Sequence, residues 1–146
     1  MPAFSIRTAR KSDSAGIADL ATQLGYPVRA AEIRTRLQTL LPSPADVVLV
    51  AETEGSELAG WLHGTVSQPL ESGPRAEITG LVVAASWQRR GVGRALLQHL
   101  EQWAGRQGVS QVVVRCQTRR QEAHEFYAAL GYQPAKTQTV FRKPLN

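Results

Sequence analysis

Gln88-Arg89-Arg90-Gly91-Val92-Gly93, with Arg94 next, sets glycines and arginines between an apolar stretch and a long amphipathic one. The chemistry open to such a pattern is the holding of phosphate. The first backbone N–H groups of a helix have no internal acceptor. They also carry the positive end of the helix dipole, which favours a nearby anion by about 0.3–1 kcal/mol. Glycine at 91 and 93 removes side chains that would keep a phosphate off those amides. The arginines add charge suited to bidentate phosphate contacts. Two other phosphate motifs fail on the letters. A Walker loop needs Gly-Lys-Ser/Thr, which is absent, and a dinucleotide fingerprint needs a third glycine where Leu96 stands.

The elements that must position this loop follow from periodicity. Phe4 to Ala9 alternates as a strand. Ser12 or Asp13 can cap a helix through Ile17, Leu20, Ala21 and Leu24, which Gly25 stops. Residues 29–41 carry Ile33, Leu37, Leu40 and Leu41 at helical spacing before Pro42 and Pro44 break the chain. Val47 to Glu52 and Leu58 to Val66 form a hairpin across Glu54-Gly55-Ser56. Gln68 to Arg75 is a loop, and Ala76 to Ala84 is the most apolar strand, expected to be central. A helix from Gly91 to Gln107 presents Val92, Leu96, Leu100 and Trp103 on one face and ends at Gly108. Val109 to Cys116 is a buried strand, and Glu122 to Leu130 a helix closed by Gly131. Val140 and Phe141 sit in a last strand before Pro144. The order predicts an α/β fold, a mixed sheet with helices on both faces, in one domain over 1–146.

Composition narrows the classes. A length of 146 residues with 42% hydrophobic and 20% charged is that of an ordinary globular domain. No run approaches the roughly 20 apolar residues of a membrane span, and the N-terminus lacks a signal-peptide pattern. A single cysteine, Cys116, forms no internal disulfide, and the other residues hold no metal-ligand spacing. The cytoplasm is the expected location, with no metal and no membrane. The net charge is +5, and arginine makes up fourteen of the 17 basic residues. Half of those, Arg89, Arg90, Arg94, Arg106, Arg115, Arg119 and Arg120, lie between 89 and 120. That bias suits an anionic partner, a polyphosphate or a nucleic acid. Nucleic acid is disfavoured because neither helix-turn-helix spacing nor an exposed aromatic–basic alternation is present.

Gln88-x-x-Gly91-x-Gly93, with Leu81-Val82-Val83 before it and the Leu96–Trp103 helix after, resembles the acetyl-coenzyme A signature of the GNAT superfamily of N-acetyltransferases. A second block, Ala123-His124-Glu125-Phe126-Tyr127-Ala128-Ala129-Leu130-Gly131-Tyr132, resembles that family's C-terminal helix. Together they cover residues 76–144, about half of the chain. The resemblance implies a mostly antiparallel, twisted central sheet and acetyl-CoA as co-substrate. It implies that the strand before the loop is bulged and splayed, with backbone groups of Leu81, Val82 and Val83 free for the pantetheine arm. Gln88, Arg89, Arg90, Gly91, Val92, Gly93 and Arg94 would hold the pyrophosphate. Tyr127 would be the general acid that protonates the leaving thiolate. Many relatives carry asparagine where this chain has Arg120, so Arg119 or Arg120 is assigned to cofactor phosphate instead.

A base must take a proton from the amine. Glu77, at the start of the strand on the expected acceptor side, is the first candidate, with His63 and His124 behind it. Cys116 is read as a strand residue rather than a nucleophile, so transfer is direct, without a covalent enzyme intermediate. The acceptor is an unidentified amine, shaped by Gln23 to Arg36 and Ser67 to Arg75. Those segments hold few acids, Glu32 and Glu71, which gives little support for a polycation. The alternative is a catalytically silent acetyl-CoA sensor. The apolar last strand suggests a possible homodimer.

Overall fold

The computed structural model describes residues 3–115 and 120–146. The expectations for Cys116 and Arg119 lie outside the described residues. Two compact units are distinguished, Met1–Val114 and Arg115–Asn146.

The first unit is built on a five-stranded sheet in the order β1-β2-β3-β4-β5. The strands are β1 (Phe4–Thr8), β2 (Asp46–Thr53), β3 (Leu58–Ser67), β4 (Arg75–Val83) and β5 (Val112–Val114). The first three pairings are antiparallel and the β4–β5 pairing is parallel. The parallel pair is joined by helix α3 (Val92–Arg106), as a crossover requires. Helices α1 (Ser14–Gln23) and α2 (Ala30–Leu40) connect β1 to β2. The α/β class and the mostly antiparallel sheet therefore match the expectation. β4 is interior, although β3 holds the middle place. β5 is shorter than the expected Val109–Cys116 strand.

Alternation along the strands sends side chains to two cores. Val48 and Val50 pack with Ile17 and Leu37, and Trp61 borders them, so α1 and α2 cover one face. On the other face α3 buries Val92, Leu96, Leu100 and Trp103, the stripe its sequence spacing predicts, together with Leu97. α3 can approach because Gly60 lies beneath it. A Cβ there would stand 2.7 Å from the Val82 carbonyl oxygen and 3.1 Å from Val92 Cγ1.

The start of α1 differs from the expectation. Asp13 stands at the N-cap but its carboxylate makes no cap bond to the helix. It accepts the Arg10 N–H at 2.7 Å and the Arg7 guanidinium at 2.8 and 2.9 Å. Arg7 also reaches Glu52 at 3.3 Å, tying β1, β2 and the turn before α1 together. Burial opposes ionisation of Asp13, but the bonds from Arg7 and Arg10 outweigh it and hold its carboxyl below the usual range.

The second unit contains α4 (Gln121–Ala129), ended by Gly131 in the left-handed region as its sequence predicts. The strand expected at Val140 and Phe141 is absent, and both side chains are exposed. Alternating apolar letters make a strand only when an edge pairs with them, and none pairs here among the described residues. The homodimer argued from that strand loses its basis.

Candidate active site

β4 is where the sheet opens. From Arg75 to Ile78 its register against β3 runs Ser67↔Arg75 to Gly64↔Ile78, and from Gly80 onward it runs His63↔Gly80 to Gly60↔Val83. Thr79 is the extra residue, so β4 carries a bulge there. Its pairing with β5 covers only Ala76, Glu77 and Ile78. Beyond Ile78, β4 has a strand neighbour on its β3 side alone among the described residues. Leu81, Val82 and Val83 pair with β3 alone among the described residues. Val82 itself is buried by its side chain, against Leu20 and Ala84.

From this edge the chain runs through a short 3-10 turn, Ala85–Trp87, into the loop. Gln88 is extended and exposed. Arg89 adopts φ 63° and Gly91 φ 86°, so two residues of the loop lie in the left-handed region. That is unremarkable for Gly91 and uncommon for Arg89. The turn points successive N–H groups the same way, into the first turn of α3. No side chain caps this helix and its first turn holds no acidic residue. The first helical bond is Ala95 N–H to the Gly91 carbonyl at 3.0 Å. The amides from Arg89 through Arg94 donate to no acceptor among the described residues. Val92 and Gly93 are buried, whereas Gly91 and all three arginines are exposed. Arg90 lies over the Trp87 ring, 4.7 Å from its centroid, and Trp87 meets Phe4 edge-on at 6.1 Å. That stacking fixes one arginine of the loop, through a turn whose course the letters do not encode.

The second unit holds Arg120, at the N-cap of α4, and His124 and Tyr127 within it. The Tyr127 ring stands edge-on to Phe126 at 5.1 Å and to Tyr132 at 5.7 Å. The Tyr132 N–H bonds the Tyr127 carbonyl at 3.0 Å.

The candidate bases on the sheet are all engaged. Glu77 Oε1 accepts from Arg75 at 3.0 and 3.2 Å. His63 lies between Asp46 and Thr79. A hollow beside the Ser67 to Arg75 segment is lined by Pro44, Val66, Gln68, Pro74 and Gln107 with two other apolar residues, none of them ionisable. No cluster of metal-ligating side chains occurs among the described residues, and no helix there is long and apolar enough to cross a membrane.

Residues 17–132 match the family model described as the acetyltransferase (GNAT) family. The chain belongs to the GNAT family. It is an N-acetyltransferase whose co-substrate is acetyl-CoA, and the amides at the start of α3, free of acceptors among the described residues, fit that group. This GNAT chain is similar to the aminoglycoside N(6')-acetyltransferase type 1 of Stenotrophomonas maltophilia. The two are 27% identical over 150 residues, covering 97% of this chain and 94% of the relative. Its fold is similar to that of the aminoglycoside 6'-N-acetyltransferase AAC(6')-Ih from Acinetobacter baumannii. There the TM-score is 0.84 and the identity 19%, with 98% and 99% of the two chains covered. It is also similar in fold to AAC(6')-Iy, solved with the bisubstrate analog CoA-S-monomethyl-acetylneamine. That comparison has a TM-score of 0.86 and 17% identity, with 97% and 99% covered.

Proposed function

We propose that this GNAT enzyme, one N-acetyltransferase domain over 1–146, moves acetyl from acetyl-CoA to a primary amine on an amino sugar. The 6'-amino group of an aminoglycoside is the first acceptor to test. The observation that carries this reading is the relative of that activity, matched along nearly the full length of both chains. The net charge of +5 gives a polycation no general attraction, so recognition of the acceptor has to be local. Glu77, on the same sheet face as His63, is the first carboxylate to test for it.

Acetyl-CoA supplies an acyl group activated as a thioester; amine attack forms the C–N bond, and the C–S bond breaks. The chain's own residues bind, orient and move protons. The amides of the 88–94 loop, with Arg89, Arg90 and Arg94 around them, take the pyrophosphate. The backbone of Leu81, Val82 and Val83, on the side away from β3, takes the amides of the pantetheine arm as an added strand would. Arg120 takes a further phosphate. Tyr127 gives its hydroxyl proton to the departing sulfur.

The test is thiol release with acetyl-CoA over a panel of amines. The panel contains an aminoglycoside with a 6'-amine, the same scaffold with a 6'-hydroxyl, an amino-sugar phosphate, a polyamine and a lysine peptide. Turnover is expected with the 6'-amine and lost with the 6'-hydroxyl. Equal rates on the two scaffolds would overturn the assignment. Tyr127→Phe is expected to lower kcat about 10²-fold with acetyl-CoA affinity by calorimetry unchanged.

A further inference from the structure

Asp46, His63 and Thr79 come from three strands and make one line of hydrogen bonds. His63 Nε2 stands 3.0 Å from Asp46 Oδ1, and His63 Nδ1 stands 2.8 Å from Thr79 Oγ1. Ser43 Oγ donates to the second Asp46 oxygen at 2.9 Å. Burial disfavours the Asp46 anion, but hydrogen bonds from His63, Ser43 and Thr65 outweigh that and keep its carboxyl below the usual range. An ionised carboxylate only accepts, so Nε2 carries the imidazole hydrogen. The Nδ1 lone pair then faces the Thr79 hydroxyl, which donates to it.

The geometry points to a proton relay in which Thr79 takes a proton from the acceptor ammonium while passing its own to His63, with Asp46 holding the ring. It rests on the amine-acetylation reading above. Thr79 is exposed and is the bulge residue of β4, two positions before Leu81, where the thioester arm is proposed to lie. The relay thus ends one residue beyond Ile78, the last β4 residue paired with β5 among the described residues. The proton count closes. The ammonium N–H proton goes to Thr79 Oγ1, the Thr79 hydroxyl proton goes to His63 Nδ1, and the amine keeps its lone pair for attack. Both protonation states find partners. Once Nδ1 carries hydrogen it donates to Thr79 Oγ1, and the Thr79 hydroxyl turns to the His63 carbonyl oxygen, 3.2 Å away. Asp46 on β2 meets the imidazole, and the Arg75–Glu77 pair on β4 lies on the same sheet face. Glu77 has one oxygen taken by Arg75. Thr79 is the catalytic residue here; His63 and Asp46 act through it.

Two measurements on the full chain decide the matter. Nitrogen-15 NMR of the histidine ring, assigned with His63→Asn, reads the tautomer without any substrate. The Nε2–H form is expected in the wild type and a mixture in Asp46→Asn; an Nδ1–H wild type would overturn the relay. The second is kcat/KM against pH, with acetyl-CoA and the 6'-amino aminoglycoside or whichever panel amine turns over. Thr79→Val and His63→Asn are expected to lower the plateau about 10²-fold, and Thr79→Ser to keep it within about threefold. Asp46→Asn removes the carboxylate that orients the ring and is expected to lower the plateau as well. Acetyl-CoA affinity stays constant throughout. A Thr79→Val enzyme with the wild-type rate and pH profile would sink the relay. Turnover of another amine but not the aminoglycoside would sink the acceptor assignment alone, and no turnover with any amine would sink both.

Discussion

Gly91 shows how much a single backbone conformation can decide. Its φ of 86° starts α3 without a capping side chain, and a Cβ there meets nothing within 4 Å. Space therefore does not demand glycine; conformation and the approach of an anion do. Aspartate tolerates the left-handed region better than most residues, so Gly91→Asp is expected to fold, with a melting temperature a few degrees from wild type. Its carboxylate would stand beside the free amides and compete for them. Acetyl-CoA affinity by calorimetry is expected to fall at least about tenfold, a difference of roughly 1.4 kcal/mol. At this scale the sequence was most informative about the loop, because glycine spacing and arginine clustering are local signals. It was silent on the Arg90–Trp87 stacking, which depends on the turn between them, and on Asp46–His63–Thr79, whose members meet only through strand register. Glu77 could be picked out by position, but its partner Arg75 reaches it only because both lie on one face of β4.

The elements repeat this division between local and non-local signals. α3 was readable from end to end because Val92, Leu96, Leu100 and Trp103 recur at helical spacing between Gly91 and Gly108. The bulge in β4 was not readable from its letters, since a register is a relation between two strands. The last strand was misread at Val140 and Phe141 for the same reason. Gly60 is the contact that sets α3 on the sheet. Gly60→Ala would force the Val82 carbonyl or Val92 aside, and overpacking of this kind costs about 1–3 kcal/mol. A denaturant midpoint lowered by that amount, with the slope unchanged, is the expected result. The anchor of α1 adds a pH dependence. Asp13 is held below its ordinary range in the folded chain, so the unfolded chain binds more protons as pH falls. The contribution is present above the unfolded carboxylate range and lost as pH drops through the folded value. Asp13→Asn should melt lower than wild type at pH 7, and the gap should close as the pH falls into the carboxylate range.

For the whole molecule, charge and fold separate cleanly. The family match covers residues 17–132, while the basic excess of +5 reflects the partner rather than the packing. The exposed Arg89, Arg90 and Arg94 lie within reach of screening ions. The dissociation constant for acetyl-CoA is expected to rise several-fold between 50 mM and 500 mM salt, by calorimetry. Arg94→Ala should flatten that slope. A slope near zero would mean that the pyrophosphate is held by backbone alone.

One more residue in β4 than its neighbour can match is a small irregularity with a large reach. A chain lacking that codon could run β4 straight against β3, with one register from end to end. Selection for robustness alone would favour that zipped form. If the thioester arm lies along β4 as proposed, the enzyme keeps a seam that ordinary sheet-building would fill.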